Sequence, residues 1–455
     1  MIKNLGALSW VLAAGVLAGC GDDDSDDNNS TTVVTLGEPT QKVLAVSATG
    51  HDRFFSVAFD SAGNYYAAGS VADSTESTAD SKMLVAKFKS DGELDTSFGT
   101  DGYAIHNAIV GTTGEVARSI VVQSSGKIVI AGTIEHAGAS DTRDRDIGLL
   151  RLNTDGSLDS TFGTDGLVTL NLSEGEVSGT SFVADNIGGM TTDSSGRLLI
   201  HGSAKRDGGT DTDFVLTRLS ADGVVDETFG TAGRTTLDIR NLSASPKPAI
   251  VLSSGQILGT GYMRDGSVVV PVIYRTDANG VLDTTYGENG IFSQAVLEAT
   301  TEVYSAVVQG DSIVTVGYGR NSAEENLDFL SLRITSAGAL DTTYGSNGYT
   351  RVDAAGFNDN GRNMTQLPDG RIALVGGGRT TAETADGMVA ILNADGQADT
   401  TFAEKGARLF DFGGTADFLW GAAVSPAGDK AVIVGLKGAG ADGNDDVAVV
   451  TIPLQ

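Results

Sequence analysis

A single cysteine, Cys20, stands in 455 residues. No disulfide can form within the chain, so its stability must come from packing and hydrogen bonds. Proline is scarce at 7 residues, and histidine scarcer at 4: His51, His106, His136 and His201. None of the histidines has H-E-x-x-H spacing, and there is no G-x-S-x-G elbow. Gly126-Lys127 runs on into Ile128 rather than Ser or Thr, which excludes a phosphate loop. Basic residues number only 30 against 59 acidic, a net charge of −29. Such a field repels nucleic-acid phosphates and anionic lipid, so nucleic acid is excluded as a partner. Divalent cations, cationic ligands and basic partners remain open, and the same charge also serves solubility alone. What is plentiful is glycine, at 61 residues, beside a 40% hydrophobic fraction sufficient for a core. Short strands joined by tight turns fit that balance better than long helices.

The lone cysteine closes a short apolar run. Lys3 supplies a minimal positive start, Leu5 to Leu17 are apolar, and Leu17-Ala18-Gly19-Cys20 follows. The run is too short to favour a spanning helix and reads as an export signal over residues 1–19. Leu-Ala-Gly-Cys resembles the lipobox of bacterial lipoproteins, which implies cleavage before Cys20 and lipidation there. Acyl chains contribute about 0.8 kcal/mol per buried CH₂, so several would anchor the protein to a membrane. Residues 20–41 open with Gly21-Asp22-Asp23-Asp24-Ser25-Asp26-Asp27, a charged stretch that reads as a disordered tether. Gly21, rather than Asp, after the cysteine points by the same resemblance to the outer membrane, on either its periplasmic or its surface side.

Beyond the tether, residues 42–455 are one repeating domain. An LDxxFG-type turn recurs six times, with its aspartate at Asp95, Asp159, Asp226, Asp283, Asp341 and Asp399. A second glycine follows each by seven residues, from Gly102 to Gly406. A second motif recurs seven times, as in Ser119-Ile-Val-Val-Gln-Ser-Ser-Gly-Lys-Ile-Val-Ile-Ala-Gly132, and reads as strand, tight turn, strand. A third apolar run follows each hairpin, and a fourth follows the second glycine, as at Leu167 to Leu170. Four antiparallel strands cannot bury both faces alone; stacking such sheets radially about an axis solves this. The expectation is an all-β, seven-bladed β-propeller of four-stranded antiparallel blades. Seven hairpins against six turns leave the last blade one strand short, and Lys42-Val43-Leu44-Ala45-Val46 is expected to close it.

The G-x-[IL]-x-x-x-G hairpin, the basic residue of strand three and the DG-x-L-D-x-x-F-G turn together resemble the delta-60 repeat family, over roughly Lys42 to Gln455. The resemblance implies a bacterial exported or surface protein and no particular activity. Copy four departs from the pattern with Pro271 in its third strand, and copy six with Ala398 and Ala403 in its turn.

Repetition suggests several candidate sites. The turn aspartates read as residues bonding nearby backbone. Phe98, Phe162, Phe229, Tyr286, Tyr344 and Phe402 read as packing between blades, or as a stacking ring for a ligand. Lys87, Arg151, Arg218, Arg275 and Arg333 stand eight residues before the turn aspartates, with Ile391 breaking the series. They read as salt-bridging residues, or as a basic ring. Asp52, Glu115, Asp185, Asp359 and Asp417 precede the first strands, with Glu302 offset by one and Ala244 breaking the series. They either cap their own loops or ring a channel mouth where Ca²⁺ would bind. The acidic loops Asp73 to Asp80, Asp141 to Asp146, Asp207 to Asp213 and Asp442 to Asp446 match no EF-hand.

No catalytic residue and no required cofactor emerge. The favoured reading is an envelope-anchored binding or scaffold module that contacts protein or glycan through its loops. The alternatives are a polysaccharide-active or other extracellular hydrolase or lyase, and a calcium-stabilised adhesin module. Aromatics make up 6% of the chain, many of them committed between blades, so no aromatic-lined cleft holding two carboxylates about 5–10 Å apart is expected.

Overall fold

The computed structural model describes residues 34–76, 79–109, 114–135, 145–173, 185–205, 211–440 and 443–455. The expected signal segment, Cys20, the tether up to residue 33, His136 and parts of the acidic loops lie outside these residues. Every regular element among the described residues is a β-strand, and none of them forms a helix long and apolar enough to cross a membrane.

The first full repeat shows how sequence becomes sheet. Asp52–Phe59, Tyr65–Ala72, Ser81–Phe88 and Tyr103–His106 pair antiparallel in chain order. In the first hairpin the Asp60 carboxylate accepts the Ala62 and Asn64 N–H groups at 2.9 and 3.0 Å. Gly63, at φ 84°, takes the left-handed conformation that closes the turn. The same meander recurs down the chain as five four-stranded sheets and one eight-stranded path. That path is two meanders joined by one parallel bridge, Val269 to Thr300. Pro271 accounts for the join. Its third strand, Val268–Thr276, meets a fourth strand of only two residues, Ile291–Phe292, which stops opposite Ile273. Pro271 therefore sits where no fourth-strand partner asks for an N–H, and Val269 N–H instead donates to Ala299 O at 3.0 Å.

Alternation packs one sheet on the next. In Ile128–Glu135, Ile128 and Ile130 join a cluster with Met83, Val85 and Phe98 of the preceding repeat. Val129 and Ala131, on the other face, join Met190, Leu198 and Ile200 of the following one. Clusters of this kind link every successive pair of repeats, and one joins Val432, Val434, Val447 and Val449 to Phe54, Tyr65 and Leu84. The first strands are Asp52–Phe59, Val116–Val122, Asn186–Thr192, Ala244–Val251, Thr300–Gln309, Asp359–Gln366 and Phe418–Val424. Each packs on the next, and the last returns to the first. The fold is a β-propeller, with these strands innermost.

The ends of the chain meet in one sheet. Thr40–Leu44 pairs antiparallel with Asp446–Pro453, in register from Thr40 with Thr451 to Leu44 with Val447. Pairing reaches further back than the expected boundary at Lys42: Thr35 and Gln455 exchange N–H···O bonds of 2.6 and 2.9 Å, and Gly37 N–H donates to Pro453 O at 2.9 Å. Residues 34–41 thus belong to the sheet. They lie on an outer edge; Val34 and Leu36 pack partly against the core, and backbone pairing holds the exposed remainder.

Candidate functional site in the central channel

The repeated turn is a latch between blades. Oδ1 of each turn aspartate accepts the hydroxyl and the N–H of the residue two further on, as Asp226 does from Thr228 at 2.6 and 3.1 Å. Oδ2 takes the basic residue of strand three, with Arg151, Arg218, Arg275 and Arg333 at 2.6 to 2.9 Å and Lys87 at 3.0 Å. Each arginine also reaches a carbonyl in the turn after the third strand of the next repeat, as Arg218 reaches Ala278 O at 2.5 Å. Its guanidinium lies 4.6 to 4.9 Å from the centre of its own repeat's aromatic ring. Those rings are buried from Phe98 to Tyr344 and press on a turn glycine of the next repeat; a Cβ at Gly280 would lie 2.7 Å from Phe229 Cζ. Where Ile391 breaks the basic series, Arg371 comes from the hairpin instead, 2.6 Å from Asp399, and also bonds Asp369 and Val34 O. Aromatic, basic residue and aspartate form one structural unit.

The carboxylates before the first strands are buried, and each holds the backbone that enters its strand. Asp52 accepts Val46 and Ser47 N–H at 2.7 Å. Glu115 accepts Ala108 and Ile109 N–H, Asp185 those of Leu172 and Ser173, Asp359 that of Ala354, and Asp417 those of Phe412 and Gly438. In the fifth repeat Thr301 does this work, its hydroxyl accepting Leu297 N–H at 2.9 Å. Glu302 is the next residue along the strand and so faces the other way, beside Tyr318. Groups of three carboxylates gather at single junctions: Asp328 with Asp353 and Asp359, Asp386 with Asp411 and Asp417, and Asp211 with Asp213 and Asp238. None of these groups contains two of the six residues picked out in the sequence.

Burial pushes the carboxyls of Asp52 and Asp185 up to about 6 and that of Asp359 up to about 7, against the pull of their N–H donors. The turn aspartates move the opposite way; the Ser97 hydroxyl and then Lys87 hold Asp95 at about 2. The signs follow from linkage. Raised carboxyls bind more protons folded than unfolded, so their contribution falls as pH rises from the unfolded value towards 6 to 7. Lowered carboxyls lose theirs only as pH falls below the unfolded value. Denaturant titrations should therefore show greater stability at about pH 5 than at about pH 8, with a shallower slope in Asp359→Asn. An unchanged slope in that variant would remove Asp359 from the account.

Three residues beyond the capping position, each first strand carries an extra residue at a shift of pairing register. These positions are Phe55, Arg118, Gly188, Lys247, Tyr304, Arg362 and Trp420; six are themselves the extra residue, whereas Lys247 pairs with Thr260 and the irregularity of its strand falls between it and Ile250. A bulge re-aims its side chain, and here all seven line one cavity of about 460 Å³ among the innermost strands. Thr133, Ser203, Ser245 and Asn363 add polar groups, and no Asp or Glu is in the lining. The cavity thus has aromatic walls without carboxylates between them. A single position per repeat, filled by six residue types in seven copies, escapes a search for what repeats, yet its diversity within a uniform frame was the available signal.

Arg118, Lys247 and Arg362 have no ion-pair partner among the described residues, whereas nearby Arg53 is held by Asp445 at 2.5 Å. They rest on rings instead: Arg118 4.2 Å from Phe55, Lys247 4.4 Å from Tyr304, and Arg362 4.2 Å from Tyr304 and 5.3 Å from Trp420. Enclosure, then repulsion from Arg53 and Arg362, lowers Arg118 to about 10. Burial and the neighbouring Arg362 lower Lys247 to about 8, with Glu302 pulling the other way. Arg362 Nε and Trp420 Nε1 are buried with no hydrogen-bond partner. Behind Lys247, His201 is fully buried and its pKa is lowered to about 4 by burial, so it is neutral. Its Nδ1 lies 2.6 Å from Lys247 O and its Nε2 2.9 Å from the Tyr274 hydroxyl. Nδ1–H then donates to the carbonyl, fixing the backbone at the bulge. Of the other histidines, His51 accepts Asp445 N–H and His106 bonds Gly156 O.

The solved structures similar to this chain are propellers and propeller enzymes at low identity. The β-propeller domain of the trilobed protease from Pyrococcus furiosus is 9% identical, with 92% of this chain and 93% of that one covered and a TM-score of 0.42. The α-L-arabinofuranosidase Arb93A from Fusarium graminearum is 10% identical over 90% and 98%, at 0.46. An ulvan lyase of polysaccharide lyase family 25 is 9% identical over 90% and 95%, at 0.48. No curated protein matches the chain. A family of β-propeller domains of unknown function (DUF5122) matches residues 123–162, 194–229, 252–286 and 367–402, four copies of the segment from hairpin turn to LDxxFG turn.

Proposed function

We propose that this protein is a seven-bladed propeller whose central pocket binds an anionic ligand. The observation that carries the reading is the convergence of Arg118, Lys247 and Arg362, without an ion-pair partner among the described residues, in a chain of net charge −29. Cations left without counter-ions in an enclosed site repel one another and cost stability unless an anion joins them. Glycoside hydrolysis with two carboxylates flanking a bond is not favoured by a lining without Asp or Glu. Binding is the leading role, and lyase chemistry on an acidic polymer is the enzyme class that a basic, aromatic pocket accommodates. The blade count is supported by the unbroken cycle of first-strand contacts and by cores shared between neighbours around it. The address proposed is the outer membrane, through lipid on Cys20, and it rests on Leu17-Ala18-Gly19-Cys20. Labelled palmitate should enter the wild type and not Cys20→Ser.

The test of the pocket is thermal unfolding in sulfate against chloride at matched ionic strength. Sulfate should raise the midpoint of the wild type and leave that of Arg118→Gln/Lys247→Gln/Arg362→Gln unmoved. An equal rise in both would place the effect on the general surface.

A further inference from the structure

We infer that the anion taken by the channel pocket is a carboxylated sugar, its acid group among Arg118, Lys247 and Arg362 and its ring against the aromatic wall. The inference rests on the anion pocket proposed above and adds the class of ligand. A bare inorganic anion would use the three cations alone. It would leave idle the Phe55 and Trp420 rings, the Trp420 Nε1–H and Arg362 Nε–H that lack partners, and the buried Ser203 hydroxyl, also without a partner. Buried donors without acceptors are costly, and a ligand rich in hydroxyls supplies them.

The ring geometry discriminates further. A flat nucleobase is held best in a slot between parallel faces. Here Phe55 meets Trp420 at 66°, and Phe418 meets Trp420 at 37°. The near-parallel pair, Tyr304 and Tyr318, is closed on itself at 5.3 Å with a hydroxyl contact of 3.1 Å. No open slot exists among these rings, but a pyranose needs only one face for its C–H groups. The cavity, about 460 Å³, lies within the ordinary range for small-ligand sites. The carboxylate would replace ring faces as the partner of Arg362, which spans the two aromatic groups at 4.2 Å from Tyr304 and 5.3 Å from Trp420. Binding of the acid group is thereby coupled to the wall that holds the ring.

Trp420 is one of only two tryptophans, the other being Trp10, so full-length Trp10→Phe protein makes Trp420 the sole reporter. The probes are trimers of galacturonate and of glucuronate, the neutral galactose trimer, adenosine monophosphate and sulfate. One of the uronate trimers should change Trp420 emission saturably, at least about tenfold tighter than sulfate or the nucleotide, while the neutral trimer gives no change. Arg362→Gln and, separately, Arg118→Gln should each weaken that binding about tenfold or more, with unfolding midpoints of the free protein no lower than that of the wild type. Sulfate binding as tightly as both uronates would overturn the sugar class and leave the anion pocket standing, and a tighter nucleotide would do the same. Saturable binding of the neutral trimer equal to that of the uronates, or no response to any anion, would overturn the pocket itself.

Discussion

A chain lacking Thr35–Leu44 unfolds at least about 5 kcal/mol more easily than the full chain and self-associates. The segment contributes a five-pair ladder to Asp446–Pro453 and three further backbone bonds to Pro453 and Gln455. Each is worth about 1 kcal/mol net, and an orphaned buried group costs more. Arg371 also loses its Val34 anchor, since Val34 is no longer held beside it. The total is a large share of the roughly 5 to 15 kcal/mol that holds a typical domain together. The bared edge of Asp446–Pro453 then offers unpaired groups to another chain. Denaturant unfolding and size-exclusion chromatography check both parts. A monomer with the wild-type midpoint would show that the ring does not depend on this closure.

Replacing Arg218 with Met costs about 3 kcal/mol, and replacing Lys87 with Met about 1 or less. Arg218 is nearly inaccessible and serves Asp226, Ala278 O and the Phe229 face together. Without it Asp226 keeps only Thr228 and a distant Arg197 at 3.5 Å, a partly buried charge short of its partner. Methionine fills much of the space, so the loss comes chiefly from the charge and its hydrogen bonds rather than from a cavity. Lys87 is more open than Arg218, 17% against 4% exposed, while the two aspartates are alike, so water takes over much of what the lysine did. Denaturant midpoints of the two variants measure the contrast. Equal losses would mean that burial does not set the strength of the latch.

The repeat frame was legible because it is built from what every copy shares. The turn aspartates, the aromatics and the strand-three bases recur at fixed offsets and meet in one unit per repeat, with Arg371 at Asp399 where Ile391 breaks the series. That substitution is invisible in spacing, since the replacement comes from a different place in the copy. The capping carboxylates were equally visible as a set, but whether they gather on a metal or hold their own loops depends on where each side chain turns. Glu302 illustrates the difficulty: one residue off register on a strand is the opposite face, and Thr301 does the capping. The channel was hidden for the converse reason. Its residues stand in equivalent places but share no chemistry, and the bulges that aim them inward are a property of pairing rather than of composition.

The channel cations, without ion-pair partners among the described residues, are proposed to await an anion, and Lys247 reports on this directly. Lysine side-chain resonances of the ¹³C-labelled protein, with Lys247→Arg for assignment, can be followed against pH with and without sulfate. The account predicts that Lys247 titrates near 8 in the free protein and at a higher pH when sulfate is bound. A Lys247 that titrates near its ordinary 10.5 and ignores sulfate would contradict it.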